Sequence, residues 1–197
     1  LTGITASTVN TYDNFGNLTN STTLSRKPHL PPEYTESSSF SGFSSYGNWG
    51  VANKPQSHTL TRRIAGQTTA SKTVNFTYDS NGRIMTETTY PGTPNELTKT
   101  FSYNLYGNLE SELITAAGLT PKGYSYQYDS KNRFLTEMEQ PDSNSVSYTR
   151  DPGTGNILTE TAIDSKVTTY QYDAFGRLKK VLTHLGHEIV TSITWEK

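Results

Sequence analysis

Apolar and polar positions alternate with a period of two along much of this chain, and the apolar member is usually aromatic or β-branched. Val74, Phe76, Tyr78; Phe101, Tyr103; Tyr124, Tyr126, Tyr128; Val146, Tyr148; and Tyr170, Tyr172 each mark one face of a strand. Each run ends at a short polar segment. Beyond it the alternation is expected to resume at Leu109, Ser111, Leu113, at Phe134, Thr136, Met138, and at Leu178, Lys180, Leu182. The pattern predicts strand pairs joined by tight turns, closed by a last strand through Ile189, Thr191, Ile193 and Trp195.

The polar segments align with one another. They are Tyr12-Asp13-Asn14-Phe15-Gly16-Asn17-Leu18, Tyr78-Asp79-Ser80-Asn81-Gly82-Arg83-Ile84 and Tyr103-Asn104-Leu105-Tyr106-Gly107-Asn108-Leu109. Tyr128-Asp129-Ser130-Lys131-Asn132-Arg133-Phe134 and Tyr172-Asp173-Ala174-Phe175-Gly176-Arg177-Leu178 follow the same form. Arg150-Asp151-Pro152-Gly153-Thr154-Gly155-Asn156-Ile157 is a longer variant. From Tyr78 onward the spacings are 25, 25, 22 and 22 residues, one supersecondary unit per repeat with loops of varying length.

Asp-x-x-Gly reads as a type I turn followed by a bulge: Asp caps the turn through its side chain, and Gly accepts positive φ. The departures keep this geometry. Asn104 caps as Asp does, and Asn132 tolerates the left-handed region in place of Gly. The repeated acid is therefore read as a turn former. Looser return turns are expected at Pro91–Asn95, Ala117–Pro121, Gln140–Asn144 and Ile163–Lys166. Residues 28–60, rich in Ser, Gly and Pro with Phe40, Phe43, Tyr46 and Trp49, break the pattern as degenerate repeats or as a surface insertion. The expected organisation is a first hairpin over 1–27, that irregular stretch over 28–60, and a regular array over 61–197.

Composition narrows the function classes. Hydrophobic residues make up 31% of the chain, yet it holds 13 Tyr and is rich in Thr, which argues against disorder and for an all-β protein with a thin core. Net charge is −1 with no block of one sign, so no basic face for nucleic acid or membrane is expected. The chain has no Cys, which removes disulfides and thiolate sites. It opens on Leu1 without a basic-then-apolar leader, the expectation for a piece of something longer, and no apolar run reaches membrane-span length.

Candidate chemistry is sparse. His184 and His187 lie three apart around Gly186, the wrong spacing for a helical zinc site, and read as a turn; His29 and His58 stand alone. Glu110/Glu112 and Glu137/Glu139 each share a strand face without a supporting His or Arg clamp. Nucleophile elbows, phosphate loops and calcium repeats are absent from the sequence. Asn17, Asn20 and Asn75 open glycosylation sequons. Tyr124 and Tyr126 could stack on sugar rings. No catalytic residue, metal or cofactor is expected.

The motif Tyr-Asp-x-x-Gly-Arg/Asn-Leu at a period in the low twenties resembles the YD repeat of the RHS (rearrangement hot spot) proteins, which include Tc-toxin shell components, wall-associated proteins and teneurins. The resemblance spans roughly Asn10 to Leu182. It implies a continuous curved sheet of tandem antiparallel hairpins, a segment of a spiral β shell that is secreted or on the cell surface, in bacteria. Such a shell encloses a toxic polypeptide or supports adhesion. Its structural turn residues here are Tyr12, Asp13, Gly16, Tyr78, Asp79, Gly82, Arg83, Tyr103, Asn104, Gly107, Tyr128, Asp129, Asn132 and Arg133, then Asp151, Gly155, Tyr172, Asp173, Gly176 and Arg177. The implied partners are neighbouring repeats, an enclosed polypeptide or a surface glycan, and a second copy through exposed strand edges. Self-cleavage is not carried over, because a standard repeat follows Asp151–Gly155.

Overall fold

The computed structural model describes residues 5–27, 34–45 and 52–191. Its strands are β1 (Thr5–Tyr12), β2 (Leu18–Arg26), β3 (Tyr34–Ser41), β4 (Ser44–Ser45), β5 (Ala52–Lys54), β6 (Ser57–Ile64), β7 (Ala70–Tyr78), β8 (Ile84–Thr89) and β9 (Leu97–Tyr103). There follow β10 (Leu109–Ala116), β11 (Lys122–Tyr128), β12 (Leu135–Glu139), β13 (Ser145–Arg150), β14 (Ile157–Thr161), β15 (Val167–Tyr172), β16 (Leu178–Leu182) and β17 (Glu188–Val190). No helix is present among the described residues. The protein is all-β, with 15 strands hydrogen-bonded antiparallel in chain order and β4–β5 forming a separate pair.

The chain divides into two compact units, Leu1–Phe101 with Ile114–Pro121, and Ser102–Leu113 with Lys122–Lys197. In the first, β1–β2, β3–β6 and β7–β8 are hairpins laid edge to edge. In the second, β11 to β17 repeat the arrangement.

The irregular stretch resolves as one hairpin carrying an insertion. β3 pairs with β6 from Tyr34↔Ile64 to Ser41↔Ser57, and both belong to the main sheet. The described residues between them, 42–45 and 52–56, carry β4 and β5 and stand where a tight turn would otherwise join β3 to β6. Tyr46 and Trp49 of this insertion lie outside the described residues, as do His29, Ile193 and Trp195.

Alternation after the Tyr172 turn differs from the sequence expectation by one residue. Tyr172 pairs with Leu178, but Gln171 pairs with Lys180 and Tyr170 with Val181, so the register shifts at Gln171/Tyr172. The same shift occurs at Thr77/Tyr78 and Thr11/Tyr12. Two residues of the outgoing strand face one of the incoming strand, and a bulge of this kind reverses the faces beyond it. Thus Val181 joins the tyrosine face where Lys180 and Leu182 were expected to continue it, and Leu113 and Leu182 stand 42% and 36% exposed. In the Tyr128 repeat the partner of Tyr128 is Leu135, and Met138 faces Tyr126, so Phe134 is an additional turn residue.

The core is minimal. Val74 alone among the described residues is buried, at 8% exposure. Cohesion comes instead from the backbone ladder and from cross-strand hydroxyl pairs. Thr8–Thr23, Thr59–Thr73, Thr77–Thr86 and Thr149–Thr159 meet at 3.0, 2.9, 2.6 and 2.6 Å. Pairs of this type contribute about 0.2–1 kcal/mol each, which is why a chain with few aliphatics carries so much Thr. On one face, Phe40 stacks on His58 at 4.4 Å between ring centroids, beside Val74.

Candidate functional site: the turn column

Each repeat turn is assembled by its first side chain. In the Tyr172 repeat, Asp173 N–H donates to Arg177 C=O (2.9 Å), and Gly176 N–H donates to Asp173 C=O (3.0 Å). Asp173 Oδ1 accepts the Phe175 and Arg177 N–H groups at 2.9 and 3.0 Å. Oδ2 accepts the Arg177 guanidinium, with Nε at 2.7 Å. The Asp79 turn repeats this arrangement bond for bond with Asn81 and Arg83. At Asp13 the side-chain donor to Oδ2 is Asn17 at 2.9 Å. Asn104 makes the same pair of Oδ1 bonds, from Tyr106 and Asn108 N–H, both at 3.0 Å.

Positive φ falls where the motif places Gly: Gly16 at 82°, Gly82 at 77°, Gly107 at 88°, Gly155 at 77° and Gly176 at 76°, with Asn132 at 55°. The Asp129 turn is one residue longer, since Asp129 N–H donates to Phe134 C=O at 2.9 Å. The Asp151 turn has the same length, closing on Asn156 C=O at 2.9 Å.

These bonds lower the pKa of the acids. Asp173 is held below the usual carboxylate range by the Arg177 side chain and then by its backbone N–H. Asp129 is lowered chiefly by the Arg133 N–H, and Asp13 by the Asn17 amide. At Asp79 burial pushes upward, but the Arg83 backbone and side-chain bonds outweigh it and the net shift is downward.

Several return turns are as tight as the repeat turns. Ser143 N–H donates to Gln140 C=O, and Gln140 N–H to Asn144 C=O, with Ser143 at φ 61°. Ala162–Lys166 repeats this with Ser165 at φ 61°. Thr183 and His187 close the same ring around Gly186, which puts His184 and His187 in a turn. The looser return turn expected at 140–144 and 163–166 is thereby corrected. Ser in the left-handed position carries no Gly or Pro signature that the sequence would disclose.

The turns also touch one another, a feature the motif alone does not reveal. Asn108 Nδ2 donates to Asn132 C=O at 2.6 Å, and Asn104 Nδ2 to Asn132 Oδ1 at 3.2 Å. Arg133 binds Asp129 and also donates to Pro152 C=O at 3.0 Å. The Phe134 ring covers Gly155 so closely that a Cβ there would lie 2.4 Å from it. The tyrosine hydroxyl reaches back to the preceding hairpin: Tyr128 Oη donates to Leu109 C=O (2.8 Å) and Tyr78 Oη to Pro55 C=O (2.7 Å). Arg150, standing in the tyrosine position, donates from Nε to Leu135 C=O at 2.7 Å.

The other candidate chemistry stays dispersed. Glu139 is held by Ser125 Oγ at 3.0 Å, Glu137 faces Gln127 across the ladder, and Glu110 and Glu112 lie on β10. No group of three or more His, Asp or Glu among the described residues is placed to hold a metal. Tyr124 and Tyr126 share a face of β11, both half-buried.

Residues 152–186 match the RHS Repeat family model. No curated protein matches the sequence. Solved structures share the fold. The crystal structure of TcdB2-TccC3 superposes with a TM-score of 0.59 at 16% identity, over 90% of this chain and 11% of that one. The TcdB2-TccC3-Cdc42 crystal structure gives 0.56 at 14% identity, over 90% and 10%. The Photorhabdus luminescens Tc holotoxin pore gives 0.59 at 16% identity, over the same shares. The chain thus spans about a tenth of the solved chains it resembles.

Proposed function

We propose that this chain, with an RHS repeat at 152–186 and a Tc-toxin fold, is a non-enzymatic wall segment of a secreted bacterial RHS-type protein, enclosing another polypeptide. The carrying observation is the sheet itself. Fifteen strands in chain order bury one side chain among the described residues. A layer of this kind separates one side from the other.

On this reading the motif divides its labour. Asp or Asn closes each turn, Gly or Asn132 supplies positive φ, and Arg83, Arg133 and Arg177 neutralise the caps. Tyr78 and Tyr128 bind each hairpin to the one before.

Protease protection of the intact parent protein tests the reading. The polypeptide it encloses should survive proteolysis, and should become sensitive when Gly107→Val and Gly155→Val open the wall. Equal sensitivity in both proteins would overturn containment.

A second reading, a surface-glycan adhesion module, draws on Tyr124 and Tyr126, whose partly exposed rings lie side by side on β11. A glycan array with the Tyr124→Ala and Tyr126→Ala variants separates the two. Tyrosine-dependent binding supports adhesion, and its absence leaves containment.

A further inference from the structure

We propose that Asn81–Gly82 is a site of spontaneous deamidation, and that the Asp79 cap closing the same turn sets its rate. The inference goes beyond containment and does not rest on it.

Asn81 is the one asparagine in the sequence followed by glycine. An asparagine amide is lost when the backbone nitrogen of the next residue attacks its Cγ. A following glycine, having no Cβ, obstructs that approach least. Asn81 is exposed, so water, the second reactant, reaches it. Its side-chain amide makes no hydrogen bond among the described residues. Amides in other turns are engaged: Asn17 Nδ2 donates to Asp13 at 2.9 Å, Asn108 Nδ2 to Asn132 C=O at 2.6 Å and Asn144 Nδ2 to Asp142 at 2.7 Å. In the otherwise matching Asp173 turn the same place is taken by Phe175, which has no amide to lose.

In the reaction, Gly82 N gives its proton to hydroxide and attacks Asn81 Cγ. The N–Cγ bond forms, the Cγ–Nδ2 bond breaks, and Nδ2 takes a proton from water and leaves as ammonia, restoring hydroxide. The cyclic imide then adds water at either carbonyl. Breaking the N–Cγ bond gives aspartate. Breaking the bond to the Asn81 main-chain carbonyl gives isoaspartate, whose backbone runs through Cβ and Cγ. One water is consumed and one ammonia released, with nothing oxidised or reduced.

The turn opposes the first step. Gly82 N–H, on the attacking nitrogen, donates to Asp79 C=O at 3.0 Å. Asn81 N–H and Arg83 N–H both donate to Asp79 Oδ1 at 2.9 Å, and Arg83 Nε donates to Oδ2 at 2.7 Å. Attack requires the Asn81–Gly82 peptide to turn about the Asn81 Cα–C bond, and the hydrogen bonds on either side resist that rotation. The nitrogen is released only when the turn opens. Surface turns open and close fast beside this chemistry, so the rate follows the open population. Isoaspartate then adds a methylene to the backbone inside the ring closed by Asp79 N–H and Arg83 C=O at 2.9 Å, which loosens the β7–β8 hairpin at its tip.

Trypsin cuts after Lys72 and Arg83, so the peptide Thr73–Arg83 carries the site, and its fragment masses separate Asn81 from Asn75. The full chain is incubated at mildly alkaline pH, and conversion of the amide to a carboxyl is followed by mass. Conversion should be slow in the unmodified chain and fastest in urea. Asp79→Ala should convert about tenfold faster than the unmodified chain, the rise in open population expected when hydrogen bonds to a charged group are removed. Asp79→Asn should stay near the unmodified rate, because Asn104 makes the same pair of Oδ1 bonds at 3.0 Å. Asn20–Ser21 and Asn144–Ser145, read from their own peptides, report any general unfolding and should not accelerate. Four results would each overturn the proposal: an amide retained at Asn81 in urea, equal rates with and without urea, an Asp79→Ala rate matching the unmodified chain, or an acceleration in Asp79→Ala shared by Asn20 and Asn144.

Discussion

Tyr128 donates its hydroxyl to the carbonyl of Leu109 at 2.8 Å, joining the start of one repeat turn to the outgoing strand of the repeat before. The two residues are 19 apart in sequence, so this is a bond between units and not within one. Tyr78 and Arg150 make the equivalent bond to Pro55 and Leu135. A phenol and a guanidinium share one property that matters here, a donor at the end of a side chain long enough to cross a strand. Tyr128→Phe should lower stability by about 1 kcal/mol, the net value of one partly buried hydrogen bond. Tyr12 is 59% exposed and opens the first hairpin, so Tyr12→Phe should leave the urea midpoint unchanged. Equal losses would show that the bond to Leu109 does not carry the effect.

Gly16 and Gly155 have nearly the same φ, 82° and 77°, but different surroundings. A Cβ at Gly16 meets nothing within 4 Å, whereas at Gly155 it would stand 2.4 Å from Phe134 Cε1. Gly16→Ala should therefore lose only the left-handed penalty, about 1 kcal/mol. Gly155→Ala adds displacement of a ring, for about 2–4 kcal/mol in all. Phe134→Leu should recover part of that loss in a double-mutant cycle, because it empties the space the new methyl needs. Thermal denaturation of the four proteins reads the coupling directly.

Ser143 and Ser165 sit at φ 61° in turns that otherwise match those closed by Gly. The left-handed conformation is strained for any residue with a Cβ, while Gly adds entropy to the unfolded chain. The first effect exceeds the second, so Ser165→Gly should raise stability by roughly 0.5 kcal/mol. A lower melting temperature would mean that the serine side chain compensates the strain.

How much of this was readable in advance depends on where the determining contact lies. Asp13, Gly16, Asp173 and Gly176 disclose their turn because the bonds run within five consecutive residues. The strands disclose themselves through alternation, though only up to the bulge, since one unpaired residue reverses every face after it. Phe134 aligned with Leu109 in the motif, yet Leu135 takes that place, because Asp129 closes on a carbonyl one residue further along. The Arg133 bond to Pro152 and the Tyr128 bond to Leu109 join residues 19 apart, and no local pattern encodes them. Residues 42–56 hid a strand pair for the same reason: β3 and β6 recognise each other across an insertion, not through a turn.

Acid should loosen the turns in a defined direction. Asp13, Asp79, Asp129, Asp151 and Asp173 all titrate below the ordinary value of 3.8 in the folded chain. A group whose pKa is depressed on folding stabilises the fold above its unfolded pKa, and that contribution is lost as pH falls through the folded value. The melting temperature should therefore be nearly flat from about pH 7 to 5 and drop below about pH 4. Asn104 caps its turn through an amide with two bonds of 3.0 Å and does not titrate. Asp173→Asn should reproduce that cap, giving a shallower acid decline and a small loss at pH 7 from the Arg177 pair, whose partners are 36% and 27% exposed. Asp129→Asn should behave likewise with Arg133. A decline as steep in these variants as in the parent would place the acid sensitivity outside the turn column.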